Sequence, residues 1–119
     1  FGFEMGHQII NADGQELEYY LAGSSHEKRY GMPSREIKDP ELWKEVNYYA
    51  GIMVANTTMY WSPAVIILGG PVVNDMNLDD VVTHAKRFTP MYETLPVVVR
   101  SSLKALGGLY GGMAYLKSR

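Results

Sequence analysis

The stretch from Asp39 to Gly70 constrains the fold of this chain most tightly. Asp39-Pro40-Glu41 is a strong helix start, with a capping side chain, proline at the first helical position and an acid in the first turn. Behind it Trp43, Val46, Ala50, Met53, Val54, Thr57 and Trp61 recur at steps of three or four, the spacing of one helix face. The helix is predicted to run to about Ser62, roughly 30 Å at 1.5 Å per residue, where Pro63 closes it. Tyr48, Tyr49, Ile52, Met59 and Tyr60 widen its apolar face, so it should meet more than one neighbour, a second subunit among the candidates. Val65-Ile66-Ile67-Leu68 then forms a short β-branched run that stops on Gly69-Gly70, as expected of a parallel strand buried on both faces.

The remaining segments fit around this pair. The first ten residues mix glycine with Phe1, Phe3, Ile9 and Ile10, like a strand end entering a turn at Asn11-Ala12-Asp13-Gly14. Gln15 to Ala22 reads as a short helix stopped by Gly23, and Ser24 to Lys38 as a charged surface loop with a helical turn at most. Asn77 should cap a second helix whose Leu78, Val81, Val82, Ala85 and Phe88 face inward until Pro90. Leu95 to Val99 reads as the next strand, and Gly107 to Lys117 as a terminal helix. Helix, strand, helix, strand, helix is an α/β order, with right-handed crossovers between parallel strands.

At 119 residues, 46% of them apolar and 20% charged, the chain should be one globular domain or part of one. Eleven basic residues against thirteen acidic argue against nucleic-acid or membrane binding driven by charge. The lack of cysteine removes disulfides and thiolate metal sites and suits a reducing cytoplasm. No apolar run approaches a membrane span and no signal peptide is visible. Since the sequence opens inside a dense motif without an initiator methionine, it is expected to be part of a longer product.

Three places can carry chemistry. Gly69-Gly70 ends a strand where open α/β sheets bind ligands, although a turn needing no ligand is the better reading of the dipeptide alone. Gly107-Gly108 and Gly111-Gly112 allow close approach of a helix to a sheet or a nucleotide, or packing only. Glu4 and His7 flank Gly6, and Glu18 can reach them from the following helix, a grouping able to hydrogen-bond neighbouring hydroxyls. Read without context, they are exposed acids and a surface histidine. His26 and His84 should face solvent, the three histidines lack metal-ligand spacing, and there is no phosphate loop.

Taken in order, Glu4-Met5-Gly6-His7, Leu17-Glu18, Val65 to Gly70 and Gly108-Leu109-Tyr110-Gly111 resemble the carboxyl-terminal part of the ROK family (repressor, open reading frame, kinase). The resemblance extends over nearly all of this chain and about the last third of a full member. It implies a partial actin-like ATPase (ribonuclease H-like) fold, helix-rich with a small, mainly parallel sheet. Residues 1–119 would form one carboxyl-terminal lobe, with 1–23 as the sugar-site segment and 39–119 as the core. Glu4, His7 and Glu18 would bind the sugar, and Gly69, Gly70 and Gly108 would flank the adenosine of ATP. The implied reaction is transfer of a phosphoryl group from ATP, with magnesium, to a hexose hydroxyl.

Two departures follow from the same resemblance. Members carry a cysteine-rich zinc loop between the histidine and the Leu-Glu, whereas ten residues separate His7 from Glu18 and none is cysteine. Zinc is therefore not expected. The catalytic aspartate and the glycine loop for phosphate lie upstream in the family, so no catalytic residue is assigned and the chain alone is expected to be inactive. The leading expectation is a sugar-kinase portion acting on a hexose such as glucose. Its alternatives are the ligand-sensing part of a sugar-responsive repressor and a truncated, non-catalytic homodimer built on the Trp43 to Trp61 helix.

Overall fold

The computed structural model describes residues 4–103 and 106–119; Phe1 and Phe3, assigned above to a strand end, lie outside the described residues. Among the described residues, five helices and two strands follow in the order α1 (Leu17–Leu21), α2 (Gly23–Tyr30), α3 (Pro40–Trp61), β1 (Val65–Leu68), α4 (Leu78–Phe88), β2 (Val97–Arg100) and α5 (Gly107–Lys117). Short 3-10 turns at Met5–His7, Ser34–Glu36 and Pro71–Asn74 join them.

Helix α3 is the spine. Its start matches the sequence signal: Asp39 Oδ1 accepts the Glu41 amide at 3.0 Å and Pro40 opens the first turn. It ends at Ser62, which adopts a left-handed conformation with φ 44°. The buried stripe is Leu42, Val46, Ala50, Val54, Ala55 and Thr58. It is rotated from the expected face, leaving Trp61 and Tyr60 exposed at the carboxyl end. Helices α1 and α4 pack on α3 from different sides, which accounts for its wide apolar surface.

Strands β1 and β2 run parallel, Val65 opposite Val97 through Leu68 opposite Arg100, with α4 in the connection between them. Ile66 and Leu68 enter a core with Val46, Val54, Val73 and Val81. The expectation that β1 is buried on both faces is corrected: Val65 and Ile67 are 48% and 66% exposed, because both packing helices lie on the other side. At α4, Asn77 Oδ1 accepts the amides of Asp79 and Asp80, and the Asn77 amide donates to Asn47 Oδ1 at 3.0 Å. That last bond pins the start of α4 to the middle of α3.

Two further expectations change. Gly23 does not stop α1; Ala22 separates the two helices and Gly23 opens α2, so 24–30 of the supposed surface loop 24–38 is helical. Gly31, left-handed at φ 71°, is the actual stop. His26 does not face solvent but is fully buried on α2, and His84 is half-buried with its ring edge against Tyr48.

Candidate functional site

The chain enters the site through the 3-10 turn Met5–His7, which α3 anchors. Asn56 Nδ2 donates to Gln8 Oε1, Gln8 Nε2 donates to the Met5 carbonyl at 3.0 Å, and the Thr57 hydroxyl points to Met5 Sδ at 3.6 Å. Beyond it the backbone turns at Asn11–Gly14 and returns antiparallel, Ile9 bridging to Glu16, so that α1 starts beside the turn it has just left. A Cβ on Gly6 would stand 3.4 Å from Glu18 Cβ, so glycine there lets the turn lie against α1.

This doubling back brings the three predicted residues together. Glu4, His7 and Glu18 line one open cavity of about 250 Å³, floored by Leu17, Leu21, Ala22 and Met53. His7 Nδ1 lies 2.8 Å from Glu16 Oε2 and 3.7 Å from Glu18 Oε2. The hydrogen bond and charge of Glu16 raise the His7 pKa above its ordinary 6.5, with smaller contributions from Glu18 and Glu4. Glu18 also borders a wider polar groove of about 500 Å³ on the far side of α1, lined by Ser24, Ser25, Lys28 and Arg29.

Leu21 and Met53 are shared walls. On their other side lies a cavity of about 380 Å³ at the carboxyl end of β1, lined by Gly69, Gly70, Pro71, Val72, Val73 and Met76. Gly70 has φ 103°, a conformation open to glycine, and it turns β1 into the 3-10 turn Pro71–Asn74. Arg100, unremarkable in the sequence, holds that turn from β2 by donating to the carbonyls of Val73 and Met76. Gly108 is not brought to this cavity; it lies on exposed α5, where an added Cβ would meet nothing within 4 Å.

Among the described residues, His7, Glu16 and Glu18 are the one group of three His or acidic side chains whose ligand atoms lie within 4.8 Å of each other. All three are exposed and already engaged with one another, and the group carries no metal assignment. The zinc loop that the resemblance implies needs cysteine, and none is present, so these residues do not fit it. The side chains around Gly69-Gly70 are apolar and offer magnesium no ligand.

Comparison with known proteins adds the decisive observation. The chain is 31% identical, over 90% of its length, to a fructokinase of Lactococcus lactis subsp. cremoris, of which the match covers 46%. Its fold superposes with a TM-score of 0.73 on the crystal structure of a ROK hexokinase from Thermus thermophilus, at 24% identity. The chain therefore shares the fold of a ROK hexokinase. That likeness covers 98% of this chain and 49% of the hexokinase, and it carries the actin-like ATPase fold class. No protein-family model matches. The chain spans about half the length of the relatives it matches, more than the last third suggested by its motifs.

The sequence did not single out Gln8, Glu16, Asn56 or Arg100, and it took Thr57 only as part of the α3 face. Glu16 is one acid among several near a turn, and the others act through polar contacts between distant segments that no spacing announces.

Proposed function

We propose that this chain is the carboxyl-terminal portion of an ATP-dependent hexose kinase, one domain over residues 1–119 with a sugar-site segment at 1–23 and a core at 39–119. The observation that carries the reading is the shared wall: a carboxylate-imidazole-carboxylate cavity at Glu4, His7 and Glu18 abuts an apolar cavity at Gly69-Gly70 across Leu21 and Met53. The first suits a polyhydroxylated ring, since carboxylates accept from hydroxyls and an imidazole nitrogen completes the set. The second suits the adenosine end of a nucleotide at the end of a parallel strand. Magnesium would arrive on the phosphates rather than on this wall. Gly108 keeps its nucleotide role through the resemblance and not through the geometry.

The fructokinase and hexokinase names of the relatives support a hexose as acceptor, glucose and fructose first among those to try. The upstream half of such an enzyme would supply the base and phosphate loop, so the chain by itself is proposed to be inactive. A cytoplasmic setting and a homodimer belong to the same reading. The test is nitrogen-edited NMR of the isolated chain titrated with fructose, glucose or mannose. Shifts confined to 4–8 and 16–22, weakened about tenfold by Glu18→Gln, are expected. No response in these segments to any hexose would sink the reading, as would phosphorylation of a hexose by the chain alone for its inactivity.

A further inference from the structure

Glu16 belongs to none of the motifs above, yet its Oε2 stands closest to Nδ1 of His7, at 2.8 Å. An ionised carboxylate only accepts, so Nδ1 carries the proton and Nε2 is the ring nitrogen this bond leaves for a ligand. The backbone holds Glu16 to its place. The Ile10 amide donates to the Gln15 carbonyl and the Leu17 amide to the Gln8 carbonyl, both at 3.0 Å. Asn11 Oδ1 accepts the Asp13 and Gln15 amides at 3.2 and 3.0 Å, closing the turn. Asn11 Nδ2 donates to the Tyr20 hydroxyl at 3.2 Å, and the Tyr20 ring stacks on Tyr49 of α3 with centroids 3.6 Å apart.

We propose that Glu16 is the positioning residue of this site, fixing the ring and tautomer of His7 so that Nε2 is the atom offered to a sugar hydroxyl. The hydroxyl rests on the functional reading above; the bracing of His7 does not. A hydrogen-bonded carboxylate on a short, cysteine-free turn thus braces the imidazole. The groups facing His7 are Glu4 on its own turn and Glu16 and Glu18 across from it, all acids. They raise its pKa above 6.5, so the charge-assisted bond contributes fully below 6.5 and is lost as pH rises through the raised value. Above that value neutral His7 still donates through Nδ1, and Nε2 becomes an acceptor.

Imidazole nitrogen shifts measured across pH test this in the full chain and in two variants. The unsubstituted chain should show the Nδ1-protonated tautomer at high pH. Glu16→Gln should keep that tautomer, since an amide oxygen still accepts, while the His7 pKa falls toward 6.5. Glu16→Ala should lose both features and weaken hexose binding about tenfold, with the backbone spectrum of α3 and α4 unchanged. A Glu16→Ala chain with unaltered tautomer and pKa would overturn the proposal. So would a His7 signature that forms only with added zinc and vanishes on chelation. Intact nitrogen signatures without any hexose binding would uphold the brace and overturn the sugar reading.

Discussion

His26 is fully buried, its Nε2 donating to the Tyr20 carbonyl at 2.7 Å and its Nδ1 sharing a hydrogen bond with the Ser34 hydroxyl at 3.0 Å. A carbonyl cannot donate, so Nε2 carries a proton, and the ring is a tie between the end of α1 and the turn at Ser34–Glu36. That tie holds α1, the helix that carries Glu18, to α2 and the Ser34–Glu36 turn. Replacing the ring removes two hydrogen bonds at about 1 kcal/mol each and leaves a cavity. His26→Ala is expected to destabilise the chain by about 3 kcal/mol, read in urea unfolding. His26→Gln, which keeps one donor and one acceptor, should lose about half as much. Equal stability of all three proteins would show that the buried ring ties nothing together.

Helix α3 meets α4 at Gly51, and the fit there is a matter of one missing methyl group. A Cβ on Gly51 would collide with the Cβ of His84 and stand 3.1 Å from the Val81 carbonyl and 3.3 Å from the Ala85 amide, all on α4. Two effects of Gly51→Ala oppose each other. Helix propensity gains about 1 kcal/mol, while forcing packed helices apart costs about 1–3 kcal/mol. The obstacle is helix backbone that cannot swing aside, so the second effect wins and a net loss of about 1–2 kcal/mol is expected. Gly111→Ala on α5 meets nothing within 4 Å and should instead be neutral or stabilising. Thermal unfolding of the two variants in parallel checks the pair; a stabilised Gly51→Ala chain would contradict the close crossing.

Elements with local signals were legible: the Asp39-Pro40 start of α3, the Asn77 cap of α4, and the short β-branched runs of β1 and β2. Helix α2 was not, because Gly23 read as the stop of the preceding helix and the charged stretch after it as a loop, although Gly23 opens eight helical residues. Glu4, His7 and Glu18 were legible as a group only through their order along the chain. Their convergence depends on a return at Asn11–Gly14 and on anchors from Asn56 and Thr57, some fifty positions away. Such contacts leave no periodic trace.

At the scale of the molecule the sheet is half covered. The chain measures 44 × 40 × 27 Å with a radius of gyration of 15.1 Å, against about 13.5 Å for a closed domain of this length. Val65, Ile67, Val97 and Val99 share one sheet face in register and are 38% to 66% exposed, while α3 and α4 cover the other. Reading β1 as buried twice over was therefore right about what its residues need and wrong about what the described residues provide. Since matched relatives are about twice as long, the natural cover in this reading is the remainder of such a kinase. Without it, an apolar patch on a two-stranded sheet should bind apolar probes and promote association. The isolated chain is expected to enhance anilinonaphthalene sulfonate fluorescence and to sediment faster as its concentration rises. Ile67→Lys, placing a charge at the centre of the patch, should abolish most of both effects while the thermal transition stays within about 1 kcal/mol, as for an exposed site. A monomeric, dye-silent unsubstituted chain would mean that this face is already covered from within.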